Sequence, residues 1–351
     1  MPLDDTPLYP LYFEPIYKQK VWGGRHLERL GRALPGSTDT LIGESWELAD
    51  LADTSPSGGG GGAERSVVAN GPMRGQTLHE LIGRHGRNLL GDLEPTPTGD
   101  FPLLVKFLDA RQNLSLQTHP SAPYAQTHPD AHLKSEAWYI VEADDGAAIY
   151  KGVRSGVTPQ QLREAAASAD AAAVERLLIR VPVKTGECHY LPSGTLHALG
   201  AGILAAEVQT PSDTTFRVFD WGRTGRALHL DEALECIQFG PPDVASHEKR
   251  SHVAGMFTTI SRLALCEYFC IEKVRMVESY EQELPYNQPA VWMILKGAGR
   301  IDPGHGAEPV ALEPGRTLLI PANMADARAV FDQDTVWLEV TFPQAMPQVI
   351  A

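Results

Sequence analysis

Cysteine is scarce in this chain, with four residues in 351. Cys188, Cys236, Cys266 and Cys270 have neither zinc-ribbon nor CxxC spacing, so they read as buried, reduced thiols. Positive charge is in deficit: 30 Lys and Arg stand against 44 Asp and Glu, for a formal charge of −14. That balance excludes the basic face that sequence-independent binding to nucleic acid or anionic membranes requires. It does not exclude a small anionic ligand, for which two or three local cations suffice. No apolar run approaches the roughly 20 residues of a membrane span. Met1-Pro-Leu-Asp-Asp5 has no basic n-region or apolar h-region, so no secretory signal is expected; with the thiols, this points to the cytoplasm. The Gly58–Gly62 run lacks a following Gly-Lys-Ser/Thr, which excludes a P-loop and leaves a flexible hairpin tip or surface loop. No Gly-rich helix start is visible to hold a phosphate.

The composition is that of a soluble globular protein, with 43% hydrophobic and 21% charged residues, enough for one large domain or two ordinary ones. Short aromatic and β-branched runs punctuated by Gly and Pro predict a mainly β fold. Leu78–Leu90 and Leu230–Gln238 read as short helices, and the Ala-rich Pro159–Leu178 stretch as the clearest helix. A polar stretch after Pro241-Pro242 is the candidate linker. The expected organisation is a first domain over 1–245, with a helical insertion at about 155–180, and a smaller β-domain over 252–351. Gly186-x5-Pro192 recurs weakly as Gly315-x5-Pro321, each a turn Gly leading a short apolar strand into a Pro turn.

Three segments carry chemistry. In Leu114-Ser-Leu-Gln-Thr-His-Pro120, Ser115, Gln117 and His119 share one strand parity and project together. In Lys134-Ser-Glu-Ala-Trp-Tyr139, Glu136 opens an aromatic strand, where an inward carboxylate is costly unless paired or metal-bound. In Gly186-x5-Pro192-x-Gly194-x2-His197, a tight turn precedes His197. Lys106 interrupts the apolar run Phe101–Leu108, and a buried ammonium needs a partner or ligand; satisfying a core carboxylate and binding substrate are equally open to it.

The last spacing matches the second cupin motif, whose fold is a double-stranded β-sandwich or jelly-roll barrel with His and Glu ligands inside. The chain further resembles type I mannose-6-phosphate isomerases of the short bacterial branch, from about Pro10 to Trp221 and more loosely beyond. The strings that carry this are Ile42-Gly-Glu-Ser-Trp-Glu47, Phe101–Ala110, Leu114–Pro120, Leu199–Gln209 and Ser212-Asp-Thr-Thr-Phe-Arg-Val-Phe-Asp-Trp221. The resemblance implies a metal set of Gln117, His119, Glu136 and His197. It implies Arg217 as the active-site arginine, with Lys134 and Glu207 in the catalytic pocket and Lys106 and Ser115 contacting substrate. One divalent ion is expected; zinc suits the nitrogen and oxygen donors, and manganese, iron or cobalt would also fit. Before Glu136 the chain departs from the long branch, with Ser135 in place of Pro and Leu133 or His132 in place of a polar residue. Asp326 stands where a second motif would place its His, so the C-terminal unit is expected to hold no metal.

The activity this resemblance implies is that of an aldose–ketose isomerase interconverting mannose 6-phosphate and fructose 6-phosphate through a cis-enediol or enediolate. It would act as a monomer or homodimer on a small sugar phosphate. Glu207 and a lysine of lowered pKa both suit the base. On the residues alone, Arg217 could instead form a structural salt bridge with Asp213 or Asp220. The competing readings are a non-catalytic cupin that binds a sugar phosphate and an iron dioxygenase, against which Gln117 and the hexose-phosphate strings count.

Overall fold

The computed structural model describes residues 7–52, 63–284, 287–304, 306–324 and 326–343; the Gly58–Gly62 run lies outside them. Side-chain alternation decides how residues 15–66 and 100–246, one of two compact units, are built. Five antiparallel strands run in the order Leu178–Pro182, Ala148–Val153, His197–Leu199, Leu116–Thr118 and Phe216–Phe219. One parity of this sheet is apolar: Leu116, Tyr150, Ala198, Phe216 and Val218 cluster with Leu162, Ala166, Val174 and Ala233. That face is covered by the helices Pro159–Ala167, Ala171–Glu175 and Leu230–Cys236. The other parity carries a row of polar residues across adjacent strands, Lys151 beside His197, His197 beside Gln117, and Gln117 beside Arg217.

A six-stranded antiparallel sheet faces this row, in the order Cys188–Leu191, Glu136–Ala143, Ile203–Gln209, Leu104–Ala110, Ile42–Leu48 and Ile16–Gly24. Its inward residues include Trp138, Leu108 and Ala205, which cluster with Ile149 and Leu199 of the first sheet. The result is the double-stranded sandwich expected from the sequence.

The Ala-rich stretch is not one helix. Ala169 adopts the left-handed region at φ 56, and Asp170 caps a second helix by accepting from the Ala172 N–H. Leu178 already belongs to a strand. Ala propensity favours helix throughout, but the Ser168-Ala169-Asp170 turn and its cap prevail locally.

The second compact unit takes the described residues of 1–14, 67–99 and 247–351. Two N-terminal stretches therefore group with the C-terminal β unit, whose last stretch begins at His247. The cause is a long-range ladder: Leu11 pairs with Leu319 and Tyr12 with Leu318. A seven-stranded and a four-stranded antiparallel sheet make up this unit. Thr77 and Glu80 form a capping box on the helix Leu78–His85. The two repeat glycines both sit at positive φ, 94 at Gly186 and 78 at Gly315, each just before a short strand, Cys188–Leu191 and Thr317–Ile320. Among the described residues no helix is long and apolar enough to cross a membrane.

Candidate active site

Between the two sheets of the 15–66 and 100–246 unit, His119, Glu136 and His197 converge, their ligating atoms all within 4.8 Å of one another. Each is at most 1% exposed. The His119 Nδ1–H donates to the Thr214 carbonyl at 2.9 Å and the His197 Nδ1–H to the Thr195 carbonyl at 2.8 Å. A carbonyl only accepts, so these contacts fix the tautomer and leave both Nε2 lone pairs turned inward. His197 Nε2 lies 3.0 Å and His119 Nε2 3.3 Å from the Glu136 carboxylate. Neither contact is aligned as a hydrogen bond, and both Nε2 atoms and both Glu136 oxygens are buried without one. Among the described residues Lys134 is the one cation facing this carboxylate, and two imidazole lone pairs turned toward a buried carboxylate would be costly on their own. Their neutral-imidazole and carboxylate chemistry fits a divalent cation, and so does their placement.

The electrostatics agree. Burial, reinforced by the Lys134 ammonium, pushes His119 down to about 3 and keeps its imidazole neutral. Burial alone would raise Glu136, but the Lys134 ammonium beside it outweighs burial and holds the carboxyl well below the usual range. The turn before His197 is built on Gly194, at φ 83, where a Cβ would meet the Cys236 carbonyl oxygen at 2.7 Å. Its N–H donates to the His119 carbonyl at 3.2 Å, tying the two histidine segments together. Ser135 joins the same brace by accepting from the Ser193 N–H at 3.1 Å.

A cleft opens beside this centre, lined by Ser115, Gln117, Lys134, Glu207 and Arg217 among others. Every expected site residue thus lies either in the His–Glu–His cluster or in the cleft wall; Lys106 lines the cleft and pairs with the buried carboxylate of Glu207 at 3.0 Å. The wall is a ladder of alternating charge. Lys134 meets Glu136 at 2.9 Å, and Lys20 meets Glu44 at 3.0 Å. Glu207 also accepts from the Trp138 indole at 2.9 Å, and Lys106 donates to Gln209 at 2.6 Å. Ser115 donates to the Gln117 side-chain oxygen at 3.2 Å. Lys134 does not show the lowered pKa considered for a base: burial lowers it, but Glu136, Glu207 and Glu44 together raise it above its ordinary value.

Arg217 is 5% exposed, donates through Nη1 to the Ala227 carbonyl at 2.8 Å, and has a buried Nε without a partner. Asp220, one of its two suggested salt-bridge partners, is bound instead by Arg223 and Arg226.

Lys20, Trp22, Glu44, Trp46, Asp213, Thr215 and Arg226 also line the cleft without having been singled out from sequence. Lys20 and Trp22 arrive on a bulge: both Gln19 and Gly24 register against Ile42, so the residues between them leave the ladder. Two glycines permit it. A Cβ on Gly43 would lie 2.6 Å from Lys20 Cβ and 2.8 Å from the Trp22 ring, and one on Gly23 would lie 2.5 Å from the Gly43 nitrogen. The Trp22-Gly-Gly24 string was the available signal.

Burial would raise Glu44, but Lys20 and Lys106 win and take it from 4.5 to about 2. A carboxyl held down in the folded state stabilises it fully above the unfolded value, and that contribution is lost as pH falls toward the folded one. Glu44→Gln should therefore flatten the decline in unfolding free energy between about pH 4.5 and pH 2. Urea titrations across that range check this, and an acid limb identical to the parent's would disprove the pairing.

A double-stranded antiparallel sandwich with a His–Glu–His cluster inside it defines a metal-binding cupin. The chain belongs to the type I phosphomannose isomerase family. Residues 11–148 match the family model described as phosphomannose isomerase type I, catalytic domain. The chain is 35% identical over 328 residues to mannose-6-phosphate isomerase ManA of Bacillus subtilis (strain 168), covering 90% of this chain and 94% of that one. It is 36% identical over 320 residues to mannose-6-phosphate isomerase of Streptococcus mutans, covering 89% and 92%. A crystal structure of the mannose 6-phosphate isomerase from Bacillus subtilis superposes with a TM-score of 0.79 at 30% identity, covering 95% of this chain and 99% of that one.

Proposed function

We propose that this chain is a metal-dependent aldose–ketose isomerase that interconverts mannose 6-phosphate and fructose 6-phosphate. The observation that carries the reading is the convergence of the buried Nε2 lone pairs of His119 and His197 on the Glu136 carboxylate, placed beside a cleft walled by fixed charges of both signs. Gln117, cross-strand from His197, completes the donor set with an amide oxygen, and zinc is the ion it suits best. When bound, the ion supplies Lewis acidity that polarises the sugar oxygens.

The protein's own groups do the rest. Moving a proton between C1 and C2 requires a base in reach and stabilisation of the oxyanion of the enediolate. Glu207, oriented by the Trp138 indole and the Lys106 ammonium, takes the proton from one carbon and returns it to the other. Lys134 and Arg217 present positive charge to the oxygen on which negative charge develops. Ser115 and Lys106 orient substrate hydroxyls. Sugar phosphates as substrates and four cysteines outside any disulfide accord with a cytoplasmic setting.

A coupled assay of the purified protein with mannose 6-phosphate, run beside metal analysis, tests the reading. The expected result is turnover with about one divalent ion per chain and its disappearance on chelation. Tight binding of the sugar phosphate without turnover would establish a non-catalytic cupin instead. Full activity with the metal shown to be absent would also sink the proposal.

A further inference from the structure

The second compact unit holds a cavity of its own, of about 830 Å³, within the range of small-molecule pockets. Its floor is preformed. Asn70 accepts from the Tyr12 N–H through Oδ1 at 2.9 Å and donates through Nδ2 to the Pro10 carbonyl at 3.0 Å. The Tyr9 hydroxyl donates to the Asn70 carbonyl at 2.9 Å and accepts from the Met73 N–H at 2.8 Å. Gly71, at φ 58, lets the chain lie against the Tyr9 ring, which a Cβ would approach to 2.5 Å. Pro72, Pro309 and Val310 add apolar surface.

The side-chain donors left over in this wall outnumber the acceptors. Tyr12 is 7% exposed, and its hydroxyl makes no aligned hydrogen bond. Burial raises its pKa, so the phenol keeps its proton at neutral pH. The Arg316 guanidinium lies over the Tyr12 ring, 4.9 Å from its centre. A guanidinium only donates, so it gives the phenolic O–H nothing to donate to. Glu313 orients Arg316 by accepting from Nε at 2.7 Å, in a pair whose side chains are both half exposed and whose attraction is correspondingly weak. Arg74 also lines the cavity and has no ion pair among the described residues. Among those residues Glu308 is the one carboxylate in the wall.

We propose that this cavity is a binding site for a small organic anion, a carboxylate or phosphate on an apolar body, whose charged end is held by Arg316, Arg74 and the Tyr12 hydroxyl. All the lining residues belong to the second unit, so the proposal goes beyond the isomerase reading and does not depend on it. An anionic oxygen supplies the acceptor that the buried phenol lacks, and hydrogen bonds to charged partners are the stronger kind. A guanidinium already fixed by Glu313 and the Tyr12 ring loses little further freedom on binding. The apolar body covers the two prolines and Val310, which leaves the polar groups to set orientation.

The test is calorimetry on the full-length, metal-loaded protein with benzoate and phenyl phosphate as probes and benzyl alcohol as a neutral control of similar size. At least one anion should bind the parent, and benzyl alcohol should bind about tenfold more weakly or worse. Arg316→Met should weaken the anion about tenfold or more, and Tyr12→Phe, which keeps the ring, about three- to tenfold. Arg74→Met, at an exposed position, repeats the measurement with little risk to the fold and should cost about threefold or more. Turnover of mannose 6-phosphate should stay at the parent's level in all three variants, because none of these residues lines the catalytic cleft. The tighter of the two probes identifies the head group as carboxylate or phosphate. Failure of the parent to bind either anion overturns the proposal. So does equal binding of benzyl alcohol, which marks an apolar groove only. Anion binding that survives Arg316→Met and Arg74→Met and competes with mannose 6-phosphate overturns it too, because it places the anion in the cleft.

Discussion

His197→Ala should lower kcat by about a thousandfold or more and leave the purified protein nearly free of metal. The expectation comes from how few donors the centre has. Three of them, His119, Glu136 and His197, are buried to 1% exposure or less, so no solvent ligand enters easily to replace a missing imidazole. The lost ring also leaves a cavity beside the buried Glu136–Lys134 pair, and a cavity at a buried site costs stability. The variant should therefore melt lower than the metal-loaded parent. Unlike the parent, it should gain little on addition of zinc, because a ligand stabilises only the state that binds it. Metal analysis, a thermal melt with and without added ion, and the coupled assay read the three effects separately. A variant that kept a stoichiometric ion and near-normal turnover would show that the cluster is structural.

The histidines were legible because their signal is local. Gly186, Pro192, Gly194 and His197 lie within twelve residues, and the turn they encode is the one the backbone requires, with Gly194 at φ 83 against the Cys236 carbonyl. Gln117 and His119 were legible from strand parity, and Glu136 from the cost of an inward carboxylate. Assignment of Arg217, Lys134 and Glu207 needed the family resemblance, since on the residues alone a structural salt bridge from Arg217 to Asp213 or Asp220 is the stronger reading. The structure engages one of those two aspartates elsewhere: Asp220 is held by Arg223 and Arg226.

The opposite wall was not legible, and for a common reason. Lys20 and Trp22 reach the cleft through a bulge whose existence depends on Gly43, some twenty residues away in the partner strand. Nothing in the Lys20–Trp22 segment alone distinguishes that bulge from a regular strand. The grouping of the first strand with the C-terminal unit was hidden likewise, because a two-residue strand at Leu11–Tyr12 carries almost no propensity signal and takes its place from Leu318 and Leu319. Local propensity did mislead once, at Pro159–Leu178, where a capped turn divides an Ala-rich run.

Arg217→Met should cut kcat by two to three powers of ten, roughly what removal of one oxyanion donor costs, while leaving the melting temperature unchanged or higher. The two halves of this expectation have one origin. In the absence of substrate, the guanidinium is 5% exposed, has one carbonyl contact at 2.8 Å and keeps a buried, unpartnered Nε. Arg226 and Arg223 repel it, and Asp220, which attracts it, is already held by those two arginines. An unsatisfied buried donor costs about 1–3 kcal/mol, so replacing it with an apolar chain of similar length relieves the folded state. The arginine contributes when an oxyanion develops within its reach and turns the unsatisfied charge into transition-state stabilisation. Because that interaction is stronger in the transition state than with bound sugar, KM should change by far less than kcat. Arg217→Lys, with charge but no fork, should recover part of the rate. Paired measurements of kcat, KM and melting temperature decide the matter. If stability and rate fell together, Arg217 would be a structural residue whose loss deforms the strand it shares with Phe216 and Val218, and its catalytic assignment would have to be withdrawn.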